Sequence, residues 1–227
     1  LLLFLFPTII FAQQNTVQTQ KGAVRGFEKD GLSIFLGIPF AKPPVSDLRW
    51  KAPQEMDAWT GVKDCQKFSA SPMQNSPAPF AYWSSEFLIP KEPIGEDCLY
   101  LNVWTKKTPK PKAVLVYIYG GGFRSGGTAC PIYDGANMAK EDVVFVSINY
   151  RVGVFGFMTH PELNKESPSN TSGNYALLDL IAGLQWIQQN IAKFGGDPTK
   201  VTIAGQSAGA SAVSMLCASP LAKGLFR

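Results

Sequence analysis

The most constraining feature of this sequence is a serine that lies between glycines at the junction of a predicted strand and a predicted helix. The apolar run 201–204 is followed by Gly-Gln-Ser-Ala-Gly at 205–209, and a segment of small residues continues to 216. So sharp a turn leaves no room for Cβ atoms at its flanking positions, and glycine has no Cβ atom. The pattern therefore predicts a strand, a tight turn and a helix, with the side chain of Ser207 exposed at the apex.

An exposed serine in this position is a candidate nucleophile. A serine hydroxyl is a poor nucleophile at neutral pH unless a neighbouring base takes its proton. The first N–H groups of the following helix, at the positive end of its dipole, favour an anion formed beside Ser207. The five-residue pattern is common in sequences, so this interpretation depends on what else the chain contains.

A second glycine cluster, Gly-Gly-Gly at 120–122, directly follows the strand-like run 113–118. Consecutive glycines after a buried strand let backbone N–H groups point into a cavity, where they stabilise the oxyanion of an acyl intermediate. A flexible glycine-rich loop is the alternative, given Gly126 and Gly127 nearby. A nucleotide-binding loop is disfavoured, because Ser125 stands where a third glycine is needed and no Gly-Lys-Ser/Thr follows. The two clusters together predict acyl-transfer chemistry.

The composition is that of a globular protein with a sizeable core. The chain has 227 residues, of which 45% are hydrophobic and 17% charged, and its net charge of +4 comes from scattered basic residues. The densest basic cluster, Lys106, Lys107 and Lys110, is typical of a solvated loop. The charge pattern therefore gives no nucleic-acid footprint.

The first twelve residues, 1–12, are uniformly apolar and are followed by Gln13, Gln14 and Asn15. The run is too short for a membrane span, which needs about 20 residues, and it resembles the hydrophobic region of a signal peptide cleaved after Ala12. A buried strand is the alternative. Because neither an initiator Met nor a basic region precedes the run, we expect the true N-terminus to be missing. The signal predicts a secreted or periplasmic protein without a stable membrane anchor.

Export is compatible with disulfide bonds. Cys65 and Cys98 are candidates because they flank a Pro-rich loop at 71–93, whereas free buried thiols are expected at Cys130 and Cys217. The sequence alone does not determine the pairing.

The order of predicted elements indicates an α/β fold. Strand-like runs occupy 99–104, 113–118 and 143–148, and apolar residues at helical spacing predict an amphipathic helix over 174–194. Strands that alternate with helices predict a mostly parallel central sheet with helices on both faces. Ligands bind such sheets beyond the carboxyl ends of the strands, where both glycine clusters lie.

The stretch 43–93 has little periodicity, and four of its aromatic residues are clustered: Phe80, Tyr82, Trp83 and Phe87. Long irregular stretches in compact domains are usually functional or disordered, and the aromatic content disfavours disorder. These side chains either line the mouth of a binding gorge or pack beneath the loop.

Several segments in a fixed order resemble the type-B carboxylesterase and cholinesterase family of α/β-hydrolases. They are Glu-Asp-Cys-Leu-Tyr-Leu-Asn-Val at 96–103, Tyr-Gly-Gly-Gly-Phe at 119–123, Asn-Tyr-Arg-Val-Gly at 149–153, Phe-Gly-Phe at 155–157, Phe-Gly-Gly-Asp-Pro at 194–198 and Gly-Gln-Ser-Ala-Gly-Ala at 205–210. The resemblance extends from about residue 22 to the last residue. It implies that 13–227 is the N-terminal part of an α/β-hydrolase domain, including its nucleophile turn.

The resemblance implies roles for individual residues. Ser207 corresponds to the nucleophile, and the N–H groups of Gly121, Gly122 and Ala208 correspond to the oxyanion hole. The remaining matches imply structural ion pairs, expected to be buried: Arg151 with Asp179, and Arg49 with Glu96.

Two positions depart from the family pattern. The family places the first cysteine of its disulfide near Pro72, so Cys65 reaches Cys98 only if the loop is shifted. Gln206 stands where cholinesterases carry a glutamate that helps hold a cationic substrate, which disfavours a choline ester.

The chain contains a single histidine, His160, which precedes the serine. In α/β-hydrolases the order is serine, acid, histidine, so we assign His160 a structural role. We therefore expect a fragment, with the acid and histidine of the triad beyond Arg227, and expect this piece alone to be inactive.

The resemblance implies a secreted serine carboxylesterase that acts on small-molecule esters and needs no metal or organic cofactor. A catalytically silent adhesion or binding protein of the same fold is the alternative, against which the retained Ser207 and glycines argue. A lipase would differ only in its pocket. Acyl and alcohol preference and oligomeric state are left open.

Overall fold

The computed structural model of the chain describes residues 15–79, 81 and 83–227. The predicted signal peptide at 1–12 and the aromatic residues Phe80 and Tyr82 lie outside the described residues, so those interpretations remain predictions from sequence.

The described residues form short strands first and then alternating strands and helices. The strands are β1 (Thr16–Gln18), β2 (Ala23–Arg25), β3 (Phe27–Lys29), β4 (Leu32–Pro39), β5 (Val62–Asp64), β6 (Ser71–Pro72), β7 (Ile94–Gly95), β8 (Tyr100–Thr105), β9 (Lys112–Ile118), β10 (Val144–Ile148) and β11 (Gly196–Gly205). The helices are α1 (Ala136–Lys140), α2 (Gly153–Phe157), α3 (Pro161–Glu166), α4 (Tyr175–Asn190) and α5 (Ala208–Ala218).

The main sheet has the strand order β11-β9-β10-β8-β4-β3. Strands β10 and β11 run parallel to β9, whereas the pairings β10–β8, β8–β4 and β4–β3 are antiparallel. The described part of the sheet is therefore mixed, where the sequence analysis expected a mostly parallel one. The difference has a local cause at the far edge: β3 and β4 are joined by the tight turn of Asp30 and Gly31, both at positive φ, and so short a connection forces an antiparallel pair.

Helices cover both faces of this sheet, as predicted. Alternate residues of β9 point to opposite faces. Val114, Val116 and Ile118 belong to the core cluster that α4 and α5 complete, whereas Leu115 and Tyr117 pack against the cluster that contains residues of α1. Parallel strands need a crossover connection, which is usually helical. Here the connection from β9 to β10 contains α1, and the connection from β10 to β11 contains α4.

The amphipathic helix predicted over 174–194 is confirmed as α4, continued by a 3-10 turn at Ile191–Phe194. Its apolar stripe buries Leu180, Leu184 and Ile187 against the sheet. Gly195 ends the segment in the left-handed conformation, with φ of 82°. The chain then enters β11, which leads to the serine turn.

The cysteine predictions need correction. Cys65 and Cys98 are both free buried thiols, so the candidate bridge between them is not formed. The Cys65 Sγ lies instead 3.6 Å from the Gly37 carbonyl oxygen, and burial raises the pKa of this thiol to about 12. Cys130 is a free buried thiol, but Cys217 is exposed on α5.

Among the described residues, no helix is both long and apolar enough to span a membrane.

Candidate active site

The serine turn connects β11 to α5 with a strained backbone. Ser207 has φ of 55° and ψ of −123°, a region that side chains other than glycine rarely occupy. Such outliers persist where the surrounding structure holds them, and they occur most often at functional sites. Ser207 occupies the N-cap position of α5 and is exposed. The sharp strand-turn-helix predicted from sequence is therefore present.

The glycines on either side of Ser207 are required by packing. A Cβ on Gly209 would lie 2.1 Å from the Ile118 carbonyl oxygen, and one on Gly205 would lie 2.4 Å from the backbone of Gly209. These contacts show that the first turn of α5 lies directly on the end of β9. The glycines therefore set how closely the helix approaches the sheet, and with it the position of Ser207.

The glycine loop 120–122 lies immediately beside the serine. A Cβ on Gly120 would lie 3.0 Å from the Ser207 Cβ and 2.6 Å from the Gln206 side-chain oxygen. Gly121 and Gly122 have φ of 121° and 62°, so both use conformations that favour glycine. The structure therefore brings together the two glycine clusters that are far apart in sequence.

The backbone donors of this loop are available to a ligand. Within the described part of the chain, the N–H groups of Gly121 and Gly122 have no hydrogen-bond acceptor, and both residues are exposed. Ala208 is the first residue of α5, where N–H groups have no intrahelical partner. The Ser207 hydroxyl likewise has no partner among the described residues. This arrangement can accept a carbonyl oxygen beside a free hydroxyl.

A cavity of about 1050 Å³ is lined by Ser207, Gly121 and Gly122. Ser207 and the glycine loop form one wall, and the segment 73–79 with Trp83 and Phe87 forms another. Trp83 and Phe87 pack edge to face, with ring centroids 5.4 Å apart. Trp83 and Phe87, the two described members of the aromatic cluster at 80–87, thus line the cavity, which is one of the two roles left open by the sequence.

The glycine loop is fixed from several directions. Gly126 donates to the Gln74 side-chain oxygen at 2.9 Å, and the Gln74 amide donates back to the Gly126 carbonyl at 2.7 Å. Gly153 donates to the Phe123 carbonyl at 2.7 Å, and the Phe123 ring packs against Phe157. The loop therefore holds its conformation without a ligand, which is a requirement for a preorganised oxyanion site.

Two stacked tyrosines support the base of the loop. The Tyr119 and Tyr150 rings are 4.3 Å apart and nearly parallel, at 11°. The Tyr119 hydroxyl donates to the Tyr150 carbonyl at 2.7 Å, and the Tyr150 hydroxyl donates to the Tyr119 carbonyl at 2.9 Å. Burial raises the pKa of both phenols, so they remain neutral donors at ordinary pH.

The structure places Arg151 against Asp179 in the protein interior. The guanidinium donates to both carboxylate oxygens, at 2.8 and 2.7 Å, and the Arg151 N–H donates to the same carboxylate at 3.0 Å. The two side chains are 3% and 0% exposed. Burial alone would lower the pKa of Arg151, but the charge and hydrogen bonds of Asp179 outweigh this and raise it. The pair joins the loop after β10 to α4.

The structure also pairs Arg49 with Glu96, but in a different environment. The Arg49 guanidinium donates to both oxygens of the Glu96 carboxylate, one at 2.6 Å. The side chains are 39% and 17% exposed, so this pair is half-buried and not buried as the sequence analysis expected. Arg49 lies at the end of a short surface turn, where water still reaches its side chain.

His160 lies away from the serine. It caps α3, where its Nδ1 accepts from the Glu162 N–H at 3.3 Å, and its side chain is 48% exposed. It is absent from the lining of the Ser207 cavity. Within the described ranges no group of three or more His, Cys, Asp or Glu side chains could hold a metal ion.

Sequence reasoning missed some residues of this site. Gln74, which clamps the glycine loop from the irregular stretch, gave no signal, because its contact spans 52 residues. Arg124 also lines the cavity. Its position two residues after the glycine cluster could have marked it as a candidate.

The fold and the site together define an α/β-hydrolase. A parallel strand leads through a strained serine turn into a helix, and a glycine loop lies beside this turn at the carboxyl edge of a mixed sheet. The sequence profile of the carboxylesterase family matches residues 13–227, and the chain belongs to that family.

Among curated proteins, similarity is high to two named esterases. The chain is 47% identical over 212 residues to the fumonisin B1 esterase of Sphingopyxis macrogoltabida, which covers 92% of this chain and 37% of that protein. It is 44% identical over 218 residues to the cholinesterase of Mus musculus, covering 92% of this chain and 35% of that protein. The chain therefore spans little more than a third of these relatives.

Solved structures agree on the fold. A PNB esterase superimposes with a TM-score of 0.85 at 40% identity, covering 94% of this chain and 43% of that structure. A carboxylesterase of Geobacillus stearothermophilus gives a TM-score of 0.82 at 41% identity, again covering 94% and 43%. The α/β-hydrolase fold predicted from sequence is confirmed.

Proposed function

We propose that the whole protein is a serine carboxylesterase and that Ser207 is its nucleophile. The observation that carries the proposal is the convergence of three features in one cavity: a strained, exposed serine and the unpartnered N–H groups of Gly121 and Gly122. Membership of the carboxylesterase family supports ester hydrolysis as the chemistry.

In the proposed reaction, the Ser207 Oγ attacks the ester carbonyl carbon while its proton passes to a base. The carbonyl oxygen becomes an oxyanion that accepts hydrogen bonds from Gly121, Gly122 and Ala208. Collapse breaks the bond to the alcohol, which leaves with the proton, and an acyl-enzyme remains. Water then adds to the acyl carbon by the same route and releases the acid and the free serine. Each oxyanion donor of this kind contributes on the order of 3 kcal/mol.

The base in this proposal is a histidine of the whole protein that follows residue 227, held by an acid in the α/β-hydrolase order. The position of His160 supports this assignment, because its exposed ring caps α3 and does not line the Ser207 cavity. We assign the pairs Arg151–Asp179 and Arg49–Glu96 to structural support, since neither carboxylate lines that cavity.

We further propose that the substrates are small-molecule esters that are not choline esters. Relatives and structural neighbours are named for esterase activity. The described lining of the cavity is largely apolar and contains no Asp or Glu, and the neutral Gln206 packs against the glycine loop. A cationic substrate would find no counter-charge among these residues.

Export is also proposed, on the apolar run 1–12 and the polar residues that follow it. Sequencing the N-terminus of the mature protein tests this: a start at Gln13 supports cleavage, and retention of 1–12 contradicts it.

The function is tested by Ser207→Ala in the full-length protein. We expect the turnover of 4-nitrophenyl butyrate to fall by at least about 1000-fold, because no other group supplies the nucleophile. Ser214→Ala is the matched control: this exposed serine lies on the same helix and donates only to the Ala210 carbonyl. Comparable turnover by Ser207→Ala and Ser214→Ala would contradict the proposal, and no turnover by the unmodified protein would favour a binding protein.

A further inference from the structure

The cavity around Ser207 contains one kind of charge. Arg124 is the only charged residue among the described residues that line it, and the others are apolar side chains, glycines and neutral polar groups. Arg124 is exposed. A ligand in the cavity therefore meets a single, positive side chain.

The guanidinium of Arg124 is not used by the fold. Within the described part of the chain it makes no ion pair and no side-chain hydrogen bond, in contrast to Arg49 and Arg151, which pair with Glu96 and Asp179. Its N–H donors are thus free for a ligand. A guanidinium has five such donors in a planar fork that matches the two oxygens of a carboxylate.

The backbone that carries Arg124 is the same loop that forms the proposed oxyanion site. The N–H groups of Arg124 and Ser125 both donate to the Gly121 carbonyl at 3.1 Å. Phe123, just before it, has φ of 60° and is held by Gly153, and Gly126, two residues after it, is held by Gln74. The backbone that carries the cation is therefore held close to the carbonyl site, so the loop does not have to be ordered when the Arg124 side chain binds a ligand.

We propose that Arg124 binds a carboxylate of the substrate, so that the favoured substrates are esters carrying a second, ionised carboxylate. This inference rests on the proposed function of the same site. Charge-assisted hydrogen bonds between a guanidinium and a carboxylate are strong and directional. The absence of acidic residues from the described lining leaves nothing there to repel the anion. Arg124 is then a specificity-determining residue that binds substrate remote from the reacting atoms.

The test compares two esters of equal chain length in the full-length protein: mono-4-nitrophenyl adipate, which carries a free carboxylate, and 4-nitrophenyl hexanoate, which does not. We expect Arg124→Gln to lower kcat/KM for the adipate ester about tenfold and to change kcat/KM for the hexanoate ester less than about twofold. The expected effect is no larger because the Arg124 side chain is exposed and solvent weakens its ion pair with the substrate. Arg124→Lys keeps the positive charge but lacks the planar fork of donors, so its kcat/KM for the adipate ester is expected to lie between the values of the unmodified protein and Arg124→Gln. Free adipate is expected to inhibit the unmodified protein and not Arg124→Gln.

Lys110→Gln is the control for net charge, because Lys110 is exposed in the loop before β9, at the opposite end of that strand from the site. It is expected to leave both esters unaffected. If Arg124→Gln changes the two esters equally, or Lys110→Gln has the same effect as Arg124→Gln, the inference is overturned while the esterase function stands. If the unmodified protein hydrolyses neither ester, the proposed function itself fails.

Discussion

At the scale of single residues, two arginine–carboxylate pairs of similar geometry differ in their surroundings. Asp179 is fully buried and accepts three hydrogen bonds from Arg151. The remaining guanidinium nitrogen, Nη1, is buried and has no partner among the described residues. Arg49 and Glu96 form an equally close pair, but water reaches the arginine. A buried charge that loses its counter-charge is far more costly than an exposed one, so the two pairs should respond differently to the same change.

Replacing Asp179 by Asn is therefore expected to lower the free energy of unfolding by about 3–5 kcal/mol, because it leaves the Arg151 cation buried without its counter-charge. Glu96→Gln removes the same charge from the half-buried pair and should cost clearly less. Urea unfolding followed by circular dichroism measures both. Equal losses for the two variants would show that burial does not control the strength of these pairs.

At the scale of elements, the site depends on how closely α5 approaches β9. The helix begins directly after Ser207, and Gly209 allows its first turn to lie on the carbonyl oxygens of Ile118 and Tyr119. Any side chain at this position must push the helix away from the sheet. Ser207 and the N–H of Ala208 would move with it, away from the glycine loop.

Gly209→Ala is expected to destabilise the protein by roughly 1–3 kcal/mol or more, since its Cβ would meet rigid backbone. Esterase activity should fall further than stability alone explains, because the turn is displaced. Ala210→Ser, at an exposed neighbour on the same helix, is the control and should stay within about 0.5 kcal/mol of the unmodified protein. Thermal unfolding and turnover measured on the same samples check both effects. A Gly209→Ala variant as stable and active as the control would contradict this account of the turn.

At the scale of the whole molecule, local sequence patterns predicted local structure. They did not predict structure that depends on contacts between segments far apart in sequence. The glycine spacing around Ser207 and the apolar periodicity of α4 are properties of neighbouring residues, so the turn and the helix could be predicted. The antiparallel pairing of β8 with β10 and the clamp of Gln74 on Gly126 join segments far apart in sequence. The departure from the family pattern at Pro72 argued against a bridge from Cys65 to Cys98, but no residue near Cys65 signalled that its thiol would face Gly37.

The candidate site was predictable to a similar extent. Ser207 and the glycine loop follow from motifs, and the structure adds that they lie in contact. The half-buried state of Arg49 and the free guanidinium of Arg124 depend on which chains pack nearby, which motif spacing does not encode. The sequence therefore located the proposed chemistry of the site better than its specificity.

The central claim, that Ser207 is the nucleophile beside a preformed oxyanion site, is tested most directly by covalent labelling. A fluorophosphonate probe is attacked by an activated serine, with loss of fluoride and formation of a bond from Oγ to phosphorus. In the full-length protein we predict a single adduct, located by peptide mass spectrometry on Ser207, with labelling that parallels the loss of esterase activity. Adduct formation at another residue as activity is lost, or full loss of activity with Ser207 unmodified, would contradict the claim.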